Sequence, residues 1–437
     1  MLIKPSKVVI AILLFAVCQQ LPGGAFADSR VASGSGVPAT ETAVSAYRGY
    51  FGITGGAVAI LRNEDVIYRQ LFGLANVELG APVNSDTRFQ LSSSSKLFTG
   101  TLMATLASDG LVDYSHPVRA YLPGLPESWS DVLLEDIMSH VSGLPEVLDC
   151  NESNDREAAL RCVYTLERPA KRRSGFDYNQ TNYLLAAQVI ETVTGASYGD
   201  VLKRRIFEPA GMSSAVLNGN SRDVVKNRAT GYYPNGNGGI VIREYEFPGF
   251  LLSAAGMNAT LDDMIGFAKT MSGDALLDAD WKSRMWQPPI LANGKESHYA
   301  LGWDLRELRD GTRSAGHEGG SLTTLRIYPR AQLTVIVLTN GMHKHFGLDG
   351  FADVLAQSVD SEILAPLDSA AYGSKVTYMA SGIDAAVRLI ESEYCDGKLN
   401  YQDCRELLVW LVQELDEDGH GEDAVVLEDR FGNRYDF

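Results

Sequence analysis

The clearest alternation of apolar and polar positions comes early in the chain. GGAVAILRN and DVIYRQLFG, residues 55–63 and 65–73, are rich in β-branched and aromatic residues with Asn63-Glu64-Asp65 between them, which predicts two antiparallel strands in a hairpin. The period then changes. Residues 93–109 carry apolar positions at helical spacing and stop at Gly110, so they predict a buried helix with Ser93 in its first turn. From about 113 to 290 the chain is helical and loop-rich, punctuated by Pro123-Gly124, Ser142-Gly143-Leu144-Pro145, Gly195 and Gly211; its strongest helices are predicted at 181–194, 198–207 and 260–272. Strand patterns return at 300–306, 321–328 and 332–339, with a turn at Pro329-Arg330. Strands at both ends with helices between them predict an α+β fold: one antiparallel sheet built from both termini, flanked by helices, with a mainly helical insert and a cleft where the two meet.

A helix over 349–364 should pack on that sheet, and past Pro366 the pattern becomes purely helical, with amphipathic helices at 375–394 and 401–415 forming a C-terminal extension over 366–437. The main domain would then be 46–365. Residues 28–45 are small and polar and read as a loose leader. The acidic run 416–423 resembles a calcium loop, but His420 and Leu427 fall where ligands are needed, so it reads as solvated surface.

Composition changes the picture in three ways. The chain has 437 residues, 45% hydrophobic and 21% charged, enough to bury a large core. Lys4 and Lys7, the apolar stretch from Val8 to Val17, and Ala25-Phe26-Ala27 before Asp28 have the order of a secretory signal cleaved after Ala27. The alternative, lipidation at Cys18, has Val17 where a small residue is wanted. Cleavage removes two lysines and no acids, taking the formal charge from −17 to −17 − 2 = −19, which excludes nucleic acid as a natural partner. It also leaves four cysteines, Cys150, Cys162, Cys395 and Cys404, an even set suited to an oxidising, periplasmic or extracellular compartment. The sequence-near pairs 150–162 and 395–404 are the simplest of three connectivities, and no Cys/His spacing suggests zinc.

The candidate chemistry lies in FQLSSSSKLFTG, residues 89–100. Lys96 is the only lysine with a serine three positions before it, Ser93. Residues i and i+3 share a helix face, so a desolvated, neutral Lys96 amine could take the Ser93 proton as that oxygen attacks a carbonyl. The plain alternative is a serine-rich helix start with a solvated lysine.

Beyond Ser93-x-x-Lys96, an ordered set of segments resembles the serine β-lactamase and penicillin-binding superfamily, in its class C-like branch. It runs through GLANVELGAPVNSDTRFQLSSSSKLFTG (73–100), HVSGLP (140–145), FDYNQTNYLLAAQVIETVTG (176–195), SAAGMNATLDDMIGFA (253–268) and GHEGG (316–320). This resemblance implies that Tyr178 relays protons and that Gln180, standing where the family usually has Asn, contacts the substrate. The strict Tyr-x-Asn pattern also occurs at Tyr233-Pro234-Asn235, but only Tyr178 directly precedes a strong helix. The third motif appears as His317-Glu318-Gly319, with a second His-x-Gly at His345-Phe346-Gly347. Of these, 316–320 should open the strand 321–328, and the Ser93 and Gly320 N–H groups would form an oxyanion hole. His317 would be a titratable cation or a neutral partner for Tyr178.

The resemblance implies a serine hydrolase that needs no cofactor or metal and works through a Ser93 acyl-enzyme. D-alanyl-D-alanine carboxypeptidase-like action on a peptide or amide, such as a peptidoglycan fragment, leads. A carboxylesterase, a β-lactamase and a non-catalytic wall-sensing protein are the alternatives.

Overall fold

The computed structural model describes residues 29–32, 37–150, 154–235, 239–308, 311, 313–341 and 347–435. The proposed signal segment and His345 lie outside them. Among the described residues a nine-stranded antiparallel sheet runs in the order Ser29–Ala32, Asp65–Asn76, Gly55–Arg62, Leu333–Thr339, Thr323–Tyr328, Arg313–Gly319, Trp303–Glu307, Tyr299–Ala300, with Ala81–Pro82 added to Asp65–Asn76. The expected sheet from both ends is present. Its joint is the pairing of Gly55–Arg62 with Leu333–Thr339, in which Val58 faces Val337 and Ile60 faces Val335.

Strand alternation explains why this central pair reads as an almost continuous apolar run. Ala57, Ala59 and Leu61 enter the core shared with the helical insert, while Val58 and Ile60 enter a second core on the opposite face. The second core is closed by the helices Val37–Phe51 and Leu348–Val359, where Tyr47 and Phe351 stack with ring centroids 3.8 Å apart. The loose leader expected over 28–45 is therefore corrected. Ser29–Ala32 pairs with Asp65–Asn76, and a helix starts at Val37 because Ala43, Val44 and Tyr47 share a helical face that the sheet can bury.

Two further expectations shift. The residues 316–320 do not open the following strand. Residues 313–319 form a strand of their own, and Gly320 and Ser321, at φ 57° and 55°, turn the chain into Thr323–Tyr328, with Leu322 N donating to Gly319 O at 3.0 Å. In the C-terminal extension the helices are Pro366–Ser381, Ile383–Leu389 continuing to Cys395, Tyr401–Glu417 and Gly421–Tyr435, around a third core. The acidic run is not simply solvated: Asp418 is buried and ion-paired to the buried Lys375, and accepts from Tyr50 of the first helix at 2.9 Å. Cys150–Cys162 and Cys395–Cys404 are both disulfide-bonded. No helix among the described residues is long and apolar enough to cross a membrane.

Candidate active site

The helix Ser95–Ser108 runs through the first core with every residue from Ser95 to Ala107 buried. Ser93 sits just before it, in the single 3-10 turn Ser92–Ser94. Two close approaches fix this helix. A Cβ on Gly100 would stand 1.9 Å from the Leu301 carbonyl oxygen, and one on Gly319 would stand 1.9 Å from that of Leu91, so only glycine lets the backbones meet. Ser92 takes φ 46°, a left-handed conformation that costs a non-glycine residue about 1 kcal/mol or more, immediately before Ser93.

The four consecutive serines have separate surroundings. Ser94 Oγ donates to the His317 carbonyl at 2.8 Å, tying the turn to the 313–319 strand. Ser95 Oγ accepts from Met257 N at 3.0 Å. Ser92 lies beside Gly320. Ser93 is the partly exposed one, and its hydroxyl acts on the Tyr178 phenol.

Lys96 is fully buried. Its Nζ donates to Gln180 Oε1 at 3.1 Å and to the Ala254 carbonyl at 3.0 Å, and lies 4.6 Å from the Tyr178 ring centroid and 5.1 Å from that of Tyr183. Burial lowers its pKa from 10.5 to about 7, against the opposing pull of Glu146. A neutral amine has two N–H bonds and one lone pair. Both N–H groups are accounted for by Gln180 and Ala254, which leaves the lone pair as a proton acceptor.

Tyr178 precedes the helix Thr181–Thr194 directly, with Gln180 at that helix's N-cap. The Tyr178 ring keeps an exposed edge, but its hydroxyl is buried without a partner in full hydrogen-bonding geometry. Burial holds its pKa above the ordinary value, with the Ser93 hydroxyl pulling it back, so it is a protonated phenol at neutral pH. Tyr233, the other sequence candidate, sits 39% exposed in the hairpin of Tyr232–Pro234 and Ile240–Ile242.

Strand alternation points His317 and Glu318 to opposite faces of the sheet. Glu318 accepts from Asp349 N at 3.4 Å, at the start of the helix Leu348–Val359, while the His317 ring lies 6.2 Å from the Tyr178 ring. His317 Nδ1 is 2.6 Å from the Glu318 carbonyl, which can only accept, so Nδ1 carries the proton. Burial first, and then the Lys96 charge, depress its pKa to about 3. The imidazole is therefore neutral, with an unpartnered Nε2. Burial favours the neutral one of the two forms the sequence left open.

Sequence reasoning passed over two residues here. Glu146, the residue after HVSGLP, accepts from Gln180 N at 2.9 Å and is the carboxylate that acts on Lys96. His140, at φ 55°, packs its ring 4.2 Å from that of Tyr178 and is bonded through Nδ1 to Asn182 Nδ2 at 3.0 Å. Their position beside the 140–145 turn was the available signal.

The family model described as Beta-lactamase matches residues 41–358. The chain belongs to the beta-lactamase family. Penicillin-binding protein 4* of Bacillus subtilis is 27% identical over 307 residues, 65% of this chain and 68% of the relative. A D-aminopeptidase of Gluconobacter oxydans is 28% identical over 388 residues, 84% of this chain and 71% of the relative. The octameric penicillin-binding protein homologue from Pyrococcus abyssi has the same fold, with a TM-score of 0.62 at 22% identity over 72% of this chain and 75% of that one. This member of the beta-lactamase family is a serine hydrolase.

Proposed function

We propose that this serine hydrolase is secreted and cleaves amide bonds next to D-amino acids, in the manner of a D-alanyl-D-alanine carboxypeptidase, through an acyl-enzyme on Ser93. The observation carrying the proposal is the buried Lys96 amine, with both N–H bonds engaged and its pKa lowered to about 7, one turn after a partly exposed serine. Secretion is supported by the N-terminal sequence and agrees with two disulfides.

Ser93 Oγ attacks the carbonyl carbon while Lys96 Nζ takes its proton. The new C–O bond leaves a negative charge on the carbonyl oxygen, held by the N–H groups of Ser93 and Gly320. When the C–N bond breaks, the Tyr178 phenol gives its proton to the departing amine and regains one from the Lys96 ammonium. Water then repeats the sequence in reverse, freeing the acid and restoring the Ser93 hydroxyl. The Gln180 amide N–H bonds remain free to hold the substrate carbonyl while its oxygen holds Lys96. The neutral His317, whose Nε2 has no partner in the resting site, supplies no charge.

Intact-protein mass measurement during incubation with a D-Ala-D-Ala peptide, a short-chain p-nitrophenyl ester and a β-lactam tests this reading. Consumption of the peptide with a transient acyl adduct mapped to Ser93 is expected. Turnover of the ester or β-lactam alone would reassign the substrate, and no adduct or turnover with any of them would overturn the enzymatic role. The neutral His317 gives a further expectation: His317→Gln lowers the rate but leaves the inflection near pH 7 in place. If that inflection vanished with His317 between about pH 5 and 8, the imidazole and not Lys96 would be the titrating group.

A further inference from the structure

We infer that His140 is the positioning residue for Tyr178: it holds the chain on both sides of that tyrosine and packs against its ring, and so keeps the phenol where it can protonate the departing amine. The inference rests on the roles given above to Ser93 and Tyr178 and adds to them the group that fixes the proton donor in place.

His140 lies in the turn after the short helix Leu134–Met138, with φ 55°. A left-handed backbone is uncommon for a residue with a Cβ, and it persists where the surroundings impose it. Here main chain and side chain of one residue reach the same neighbouring segment. Asp177 N donates to the His140 carbonyl at 2.8 Å, and Asn179 N donates to His140 Nδ1 at 3.3 Å. The residues on either side of Tyr178 are therefore both tied to His140. Its ring centroid is 4.2 Å from that of Tyr178, while the rings of Phe176, His317 and Tyr299 stand 6.3, 6.2 and 6.4 Å away.

The hydrogen bonds also fix the proton on this ring. A backbone N–H can only donate, so Nδ1 is the acceptor and the neutral imidazole carries its hydrogen on Nε2, the opposite tautomer from His317. Asn182 has the matching polarity: its Oδ1 accepts from Ser142 Oγ at 2.7 Å, which turns its amide N–H toward Nδ1 at 3.0 Å. Burial first, and then the Lys96 charge, hold the His140 pKa well below its ordinary value, so the ring does not take the second proton that would repel Asn179 N. The Nε2–H is buried with no partner among the described residues. An apolar side chain filling the same space would avoid that cost, so packing alone does not account for a histidine; the acceptor at Nδ1 does.

The Tyr178 hydroxyl has no partner of its own in full hydrogen-bonding geometry. Its place is set by the ring and by the main chain on either side, which are the features that His140 holds. A displacement of about 1 Å at a reacting group costs on the order of a hundredfold in rate. The loss has a distinct signature. An amine leaves an amide only as it gains a proton, whereas p-nitrophenolate leaves an ester as a stable anion, so a misplaced phenol slows the first departure and spares the second.

The experiment compares kcat/KM for a peptide ending in D-Ala-D-Ala with kcat/KM for the p-nitrophenyl ester of the same acyl group; this constant covers the steps through acylation and leaves out the deacylation that both share. Tyr178→Phe sets the scale and should lower the peptide-to-ester ratio by about a hundredfold or more. His140→Ala should lower it by about ten- to a hundredfold. His140→Asn, which returns an acceptor near the place of Nδ1 and tolerates the left-handed backbone, should recover part of that loss but not all, because the ring is gone. Added to Tyr178→Phe, His140→Ala should change the ratio no further, since no phenol proton is left to place. A wild-type ratio in His140→Ala, or a further fall in the double variant, overturns the inference, and if the alanine protein does not fold, an unchanged ratio in His140→Asn overturns it. Equal losses on both substrates in Tyr178→Phe would instead show that the relay assigned to Tyr178 has failed, and a wild-type protein that leaves the peptide intact that the amide-cleaving reading has failed; the inference falls with either.

Discussion

Lys96→Met should lose turnover by about a thousandfold or more and yet give a protein that is more stable at pH 6 than the wild type. The loss follows from removal of the amine proposed to take the Ser93 proton. The gain follows from linkage. The amine ionises with a pKa of about 7 in the folded protein against the ordinary 10.5. At 1.36 kcal/mol per pH unit this difference is on the order of 5 kcal/mol of stability forgone below pH 7. The unfolded chain binds the extra proton between about 7 and 10.5, so wild-type stability rises with pH through that window, and the advantage of methionine shrinks over it. Methionine also orphans the Gln180 oxygen and the Ala254 carbonyl, which returns about 1–3 kcal/mol for each. Denaturant unfolding at pH 6 and pH 9 measures both effects. A variant less stable than wild type at pH 6 would show that the lysine is comfortable as a cation where it lies. The same ionisation places the acidic limb of wild-type activity near pH 7, with about tenfold lost per pH unit below it.

Ser93→Ala should abolish covalent labelling by a fluorescent penicillin or a fluorophosphonate and reduce turnover by about ten-thousandfold or more. The neighbouring serines provide the contrast. Ser95→Ala removes the acceptor for Met257 N and should cost about 1–2 kcal/mol of stability while labelling persists, because Ser95 faces the strand Met257–Ala259 and not the phenol. Mutant Ser93→Ala protein that labels like the wild type would transfer the nucleophile to another side chain and refute the assignment.

The nucleophile helix was readable because its apolar periodicity, its glycine stop and the serine-lysine spacing all lie within one short segment. That strands from both ends share one sheet was readable for a similar reason, since they are apolar runs bounded by turns, but the pairing of 55–62 with 333–339 was not specified. The strand 313–319 was missed because RSAGHEG has almost no β-forming side chains. It is a strand only because the ladder to Thr323–Tyr328 supplies the pairing, with His317 opposite Leu325. The helix at 37–51 was hidden among small polar residues, and its burial depends on Phe351, far along the chain. Asp418 looked like surface in an acidic run, and only Lys375 and Tyr50 explain its burial. A neutral Lys96 amine was expected from its spacing to Ser93, while the state of His317 was left open between two forms; the degree of burial that sets both depends on every element that surrounds the two groups, which no local segment of sequence displays.

The strand Gly55–Arg62 lies in the middle of the sheet, yet one of its two neighbours, Leu333–Thr339, is synthesised almost a whole catalytic body later. Contacts this distant close slowly, because the loop entropy must be met before the pairing yields anything. Until residue 339 has emerged, the first hairpin has an open edge and no means of completing the sheet. A polypeptide wired in this way commits its central sheet only when nearly all of the body has been made, so a chain cut short before residue 339 should have no completed sheet on which to close its two cores.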